Sequence, residues 1–142
     1  DGNTSVLPTQ AGGLKNGNLC FSDRTYSWAN TPAQLAGAEY VRTFNSDKKS
    51  STVTYTLTTS REATLMITVD QRIVNPQQLV DKATIGFARV GTFVNTGLRL
   101  FIHEDAATNR SQSVFSARFP AGTYVFSAMP SGHNMYVIAA MD

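Results

Sequence analysis

Hydrophobic and polar residues alternate most cleanly over residues 52–70. Val53, Tyr55 and Leu57 are interleaved with Thr52, Thr54, Thr56 and Thr58. After a polar break at residues 59–62, Ala63, Leu65, Ile67 and Val69 are interleaved with Thr64, Met66 and Thr68. A period of two in β-branched and aromatic residues predicts strands. The two runs are expected to pair as an antiparallel hairpin with one buried face and one threonine-rich face.

The pattern continues in both directions. Residues 19–28 are strand-like, interrupted at Ser22-Asp23-Arg24, and residues 38–44 form the next strand. Between them, Thr31 suits a helix cap, Pro32 the first helical position and Gly37 the end, so a short helical turn is expected over residues 32–36. Residues 45–50 read as a polar turn. Asn75-Pro76 opens a turn or a single turn of helix, and residues 83–94 read as two short strands broken near Gly91. Leu98, Leu100 and Ile102 alternate with Arg99, Phe101 and His103, which predicts a further strand; residues 104–112 read as a loop. Three last strands, over 114–119, 123–129 and 134–141, are separated by Pro120-Ala121-Gly122 and Pro130-Ser131-Gly132. About eight to ten short strands and one helical turn predict an all-β fold, an antiparallel β-sandwich of jelly-roll type. Residues 1–18, rich in glycine and poor in large apolar side chains, read as a linker or N-terminal arm, and residues 19–142 as the sandwich domain.

Composition narrows the function. A chain of 142 residues, 42% hydrophobic and 15% charged, has room for one domain with a real core. A formal charge of +2 is too mild to argue for nucleic acid, and suits a neutral or somewhat acidic ligand. No apolar run reaches membrane-spanning length, and no stretch reads as a signal peptide. The single cysteine, Cys20, allows no internal disulfide and, between Leu19 and Phe21, reads as a small buried hydrophobe; export without disulfides remains open to a bacterial protein. The abrupt ends fit a piece of a larger protein.

A set of short pieces runs in order over residues 18–140: Asp23-Arg24 with Tyr26, Pro32, Leu35-Ala36-Gly37, Tyr40-Val41-Arg42-Thr43-Phe44-Asn45 with Asp47-Lys48, Val69-Asp70-Gln71-Arg72, Pro76 with Leu79, Phe119-Pro120-Ala121-Gly122-Thr123 and Asn134-Met135-Tyr136-Val137. In this set the chain resembles an accessory β-sandwich domain, like a carbohydrate-binding module, found at the ends of bacterial polysaccharide-degrading glycoside hydrolases and lyases. The resemblance implies a non-catalytic, secreted or extracellular, glycan-associated module joined to a catalytic domain of the same parent chain. It departs from the pattern at Gln77-Gln78, where a tryptophan is expected, which removes one aromatic platform from that loop.

Sugar binding needs an aromatic ring for the apolar face of a pyranose, with guanidinium groups and amides around it for the hydroxyls. Trp28 is the only tryptophan, and Tyr26, two residues before it, shares its face. These two are the expected platform; the bland alternative is that Trp28 plugs the core against Leu35. Arg24, Arg42, Asn45, Lys48 and Arg72 complete the candidate set, although Asp23-Arg24 and Asp70-Gln71-Arg72 also read as structural ion pairs. Tyr55, Phe101, Phe115, Phe119, Tyr124 and Phe126 read as core. Arg42, Arg89, Arg99 and Arg118 lie in strand-like sequence, where they solubilise the sheet or together form a cationic surface for an acidic polysaccharide.

Catalytic and metal sites are not expected. Most acids fall at turns, no nucleophile elbow is present, and His103-Glu104-Asp105 would point to alternate sides of a strand. No cofactor is expected; a structural calcium would suit such a sandwich, with no ligands to name. The expectation is therefore a monomeric, non-catalytic carbohydrate-binding module with a polysaccharide partner, no nucleic acid and no membrane. The competing expectation is a structural or protein-docking sandwich that packs against a catalytic domain without touching glycan.

Overall fold

The computed structural model describes residues 11–84 and 92–142. Eight strands lie among them: β1 Ser27–Ala29, β2 Glu39–Val41, β3 Tyr55–Thr59, β4 Ala63–Asp70, β5 Val94–Asp105, β6 Thr108–Phe119, β7 Gly122–Phe126 and β8 Val137–Met141. One α-helix, α1, spans Pro76–Ala83, and 3-10 turns occupy Ala33–Leu35 and Asn45–Lys49. Six strands form an antiparallel sheet in the order β1-β5-β6-β4-β8-β2, and β3 pairs with β7 as a second layer. The fold is an antiparallel β-sandwich, as the strand spacing predicts.

The hairpin expected over residues 52–70 does not form. β4 pairs with β6 on one side and β8 on the other, whereas β3 pairs with β7. The chain turns a corner at Ser60, and the two runs enter different layers. Their patterns are alike because each has a face on the same core. Alternation reports a buried face, not the strand that shares the hydrogen bonds. Thr56 and Thr58 of β3 are exposed as expected, but β4 is buried on both faces: Met66, Thr68 and Asp70 are as enclosed as Leu65 and Ile67.

The reason is curvature. One face of the six-stranded sheet carries Leu65, Ile67, Phe115, Phe119 and Ile138 and packs under the second layer, where Phe119 meets Tyr124 and Tyr55 meets Tyr136. The other face carries Met66, Leu100, Ile102, Val114 and Val137, and the sheet curls around it until its edges meet. Trp28 of β1 and Tyr40 of β2, from opposite edges, pack edge to face with ring centroids 5.8 Å apart. Residues 14–20 lace this seam. Leu14 exchanges backbone hydrogen bonds with Gly37 and Ala38 beside β2, while Gly17, Asn18 and Cys20 bond to Trp28 and Tyr26 of the β1 side. Leu14 and Cys20 are buried, and burial pushes the Cys20 thiol pKa upward. The described part of the expected arm is thus built into the domain. Gly13 makes the close approach feasible: it sits at φ +67°, and a Cβ there would stand 2.5 Å from the carbonyl oxygens of both Gly37 and Ala38.

Three further expectations change. The helical turn near Pro32 is a 3-10 turn, ended by Gly37 at φ +84°. The turn at Asn75-Pro76 is the start of the two-turn α1, with Pro76 in its first turn and Val80 and Ala83 buried. The expected loop over 104–112 is the tip of the β5–β6 hairpin, closed at Ala106 and Ala107, where Asp105 accepts a hydrogen bond from the Ala107 N–H. Of the strands expected over 83–94, residues 85–91, Arg89 among them, lie outside the described residues; Ala83 ends α1 with Thr84 after it, Phe93 is a buried core ring, and Val94 starts β5.

Candidate functional site

The seven residues expected to bind sugar divide into two groups. Tyr26 and Trp28 do share a face, but it is the inside of the curl. Trp28 is 1% exposed and offers no ring to a sugar, while Tyr26 is partly buried, its ring edge to face with Phe21. The platform reading of Trp28 is corrected: an edge strand normally leaves one face in solvent, and here the curl closes over it.

The others gather at one end of the curled sheet, where β2, β4 and β5 end and β6 and β8 begin. Asp23 takes the N–H groups of Asn45 and Ser46 at 2.7 and 3.0 Å and pairs with Arg24 at 3.0 Å. Asn45 is fully buried; its amide donates to Asn134 and accepts from the Met135 N–H at 2.8 Å. Asp70 receives a two-pronged grip from Arg72, Nε at 2.9 Å and Nη2 at 2.7 Å, and the Asn134 N–H at 3.3 Å. Asn134 reaches on to Glu104 at 2.7 Å, and Glu104 to Arg110 at 3.7 Å. Lys48 is tied through its carbonyl to the Ser131 N–H, and Arg42 is half-buried, its carbonyl taken by Ser22.

This end is a brace. Burial works against the Asp70 carboxylate, but the hydrogen bonds and charge of Arg72, with the Asn134 N–H, outweigh it and hold its pKa below the usual carboxylate range. Burial likewise opposes the Asp23 charge and is outweighed by bonds from Ser46 and Asn45 and the charge of Arg24. Asn45 is therefore corrected from a ligand contact to a structural amide: it has no exposed surface to offer. Arg24 and Arg72 keep part of their guanidinium in solvent but have their charge neutralised by an adjacent carboxylate.

A different surface has the features sugar binding requires. On the face of the large sheet turned away from the curl, beyond the cover of the second layer, β5 presents Arg99, Phe101 and His103. They lie opposite Ser113, Ser111 and Asn109 of β6, with Ala29 and Ser27 of β1 on the other side. Phe101 is partly exposed. Tyr26, Leu98 and Ala117, also half-buried, pack against the core, whereas Phe101 does not. Its lateral neighbours Ala29 and Ser111 are small. The long polar side chains around it are pinned. The Ser111 hydroxyl sets the orientation of the Gln71 amide, whose nitrogen lies 2.6 Å from Ser111 Oγ and whose oxygen then lies over the face of the Arg99 guanidinium, 3.0 Å from Nη2. His103 Nδ1 lies 2.7 Å from Asn109 Oδ1. A bulge between Asn95 and Arg99, with Gly97 at φ +81°, aligns this part of β5 against β6.

Reading the sequence placed Phe101 in the core. The signal against that was present: Phe101 falls on the polar phase of its strand, between Arg99 and His103, while Leu100 and Ile102 hold the apolar phase. Gln71 carries no such signal, since only folding brings the residue after β4 beside β5.

A cleft of about 670 Å³ opens at the opposite end of the domain, between the β2–β8 edge and β3, with Glu39, Leu57, Thr59, Arg61 and Asp142 among its walls. Its sole aromatic lining residue is Tyr40, which is 1% exposed, so it has no ring for stacking. Among the described residues no three His, Cys, Asp or Glu side chains converge as a metal shell requires.

Neither a protein-family model nor a curated protein matches this sequence. Two solved structures share its fold. A β-glucuronidase from glycoside hydrolase family 2 aligns with a TM-score of 0.73 and 17% identity, over 99% of this chain and 14% of the enzyme. A GH138 enzyme targeting pectin rhamnogalacturonan II aligns with a TM-score of 0.60 and 11% identity, over 95% of this chain and 15% of that one. This sandwich is therefore a fold that occurs as a small part of glycoside-hydrolase chains.

Proposed function

We propose that the chain is a non-catalytic glycan-binding module of a secreted bacterial polysaccharide-degrading enzyme, and that it binds on the open β1–β5–β6 face. The observation that carries this reading is Phe101: a partly exposed aromatic ring outside the core cluster, on the outer face of the curled sheet, with small cross-strand neighbours and polar groups around it. A pyranose stacked on that ring would have Arg99, Gln71, His103 and Asn109 within reach of its hydroxyls. The two structural neighbours support the setting, since both are glycan-active enzymes in which this fold is a minor part. A catalytic reading is less well supported. Glycoside hydrolysis needs one carboxylic acid held protonated beside a second carboxylate. The carboxylates with shifted pKa, Asp23, Asp70 and Asp105, are all shifted downward.

Such a module works as a monomer by raising the local concentration of polymer at a catalytic domain of its parent chain. Each site is expected to bind weakly, with Kd on the order of tens of micromolar to millimolar, because sugar hydroxyls are already well solvated. Affinity electrophoresis against a panel of soluble plant, algal and bacterial polysaccharides tests the reading. The protein should be retarded by at least one polymer, and Phe101→Ala should migrate freely while melting close to wild type. Failure of the wild-type protein to respond to any polymer would overturn the reading and leave the docking alternative.

A further inference from the structure

The open face carries a charge that the protein leaves uncompensated. Arg24, Arg61, Arg72, Arg110 and Arg118 each have a carboxylate within 4.0 Å. Arg99 has none among the described residues. With the Gln71 amide turned to donate to Ser111, its neutral oxygen lies over the face of the Arg99 guanidinium, 3.2 Å from Nε, 3.0 Å from Nη2 and 3.3 Å from Nη1, and leaves the in-plane N–H edges unengaged. Gln71 is fixed in turn by Ser111 and by its backbone N–H, which donates to the Ser111 carbonyl. The guanidinium is thus positioned without being neutralised. It stands on the same strand face as the Phe101 ring, two residues away. On the far side of that ring, His103 is engaged with Asn109, and Asp105 lies at the hairpin tip.

A planar, fixed, unpaired guanidinium beside an aromatic ring matches a ligand that has an apolar ring face and a planar anion on its rim. A guanidinium fork binds a carboxylate through two parallel hydrogen bonds. We infer that this face takes a uronic-acid residue within a polysaccharide: Phe101 stacks on the sugar ring and Arg99 receives its carboxylate. The inference rests on the glycan-binding reading above and adds the chemical class of the sugar. Exposure separates Arg99 from Arg42, which also lacks a carboxylate partner among the described residues but is half-buried. The other arginines on described strands of this sheet are spoken for, Arg110 by Glu104 at 3.7 Å and Arg118 by Glu62 at 3.5 Å and Thr64 at 3.1 Å.

The test uses a matched pair of polymers, polygalacturonate and its carboxyl-reduced form, with a sulfated galactan as a third arm. Wild type, Arg99→Gln, Arg99→Lys and Phe101→Ala are compared by affinity electrophoresis and calorimetry at low and physiological salt. Wild type should bind polygalacturonate about tenfold or more tightly than the reduced polymer, and rising salt should narrow the gap. Arg99→Gln should erase the difference while keeping the residual binding to the reduced polymer. Arg99→Lys should restore part of it, through charge without the fork. Phe101→Ala should lose both. Equal affinity of wild type for the two forms, or an Arg99→Gln protein that still discriminates, overturns the inference and leaves the glycan-binding reading intact. Preference for the sulfated galactan over polygalacturonate overturns the carboxylate assignment. Absence of binding by wild type to every polymer overturns both readings together.

Discussion

Trp28→Ala tests the closure of the sheet. The side chain is 1% exposed and meets Tyr40 edge to face across the seam between the two edge strands. Truncating a fully buried tryptophan costs about 3–5 kcal/mol, from lost transfer energy and the cavity left behind. The upper half of that range is expected here, because the partner ring belongs to the opposite edge and, apart from the ring pair, the gap is spanned by the hydrogen bonds of residues 14–20 and 22–23. Unfolding entropy is about 0.3 kcal/mol/K for a chain of 142 residues. The melting temperature should therefore fall by about 13–17 °C in a calorimetric or circular-dichroism melt. Phe101→Ala, at a partly exposed site off the core cluster, should cost about 1 kcal/mol and shift the melt by only about 3 °C. Urea unfolding of the same proteins gives the free energies independently. The reasoning is refuted if Trp28→Ala melts within a few degrees of wild type, since the ring would then not be holding the seam.

Two further outcomes follow from the seam and the brace. Gly13→Ala should destabilise far more than Gly97→Ala. Both sites have positive φ, which costs about 1 kcal/mol for alanine, but only at Gly13 would the new Cβ strike backbone oxygens, 2.5 Å away; equal melts for the two variants would contradict the packing of Gly13 on Gly37. The Asp70 brace should make stability pH-dependent. A carboxylate whose folded pKa is depressed contributes stability above its unfolded pKa of about 3.9, and that contribution is lost as pH falls through the folded value. Denaturant midpoints should thus drop between about pH 5 and pH 2, and Asp70→Asn should lower the midpoint at neutral pH while flattening that acid limb; an unchanged acid limb in Asp70→Asn would show that the Arg72 grip contributes nothing.

What the sequence determined by itself is the class of structure and the phase of each strand. Alternation over residues 53–69 marks which side chains enter a core, because a buried face of a strand must be apolar at every second residue. The Asp-Arg spacing at residues 70–72 encodes its own ion pair, since both partners lie on one local turn. What the tertiary structure decided is everything that depends on which strands meet. The sheet's curl turned Tyr26 and Trp28 from an exposed edge into an interior, although nothing within residues 26–28 distinguishes those outcomes. The separation of β3 from β4 likewise depends on their partners, β7 and β8, which lie far along the chain. The open face arises the same way. Phe101 was legible as an apolar ring on a polar phase, but its pinned neighbours come from β1, β6 and the residue after β4, and only long-range pairing brings them around one ring.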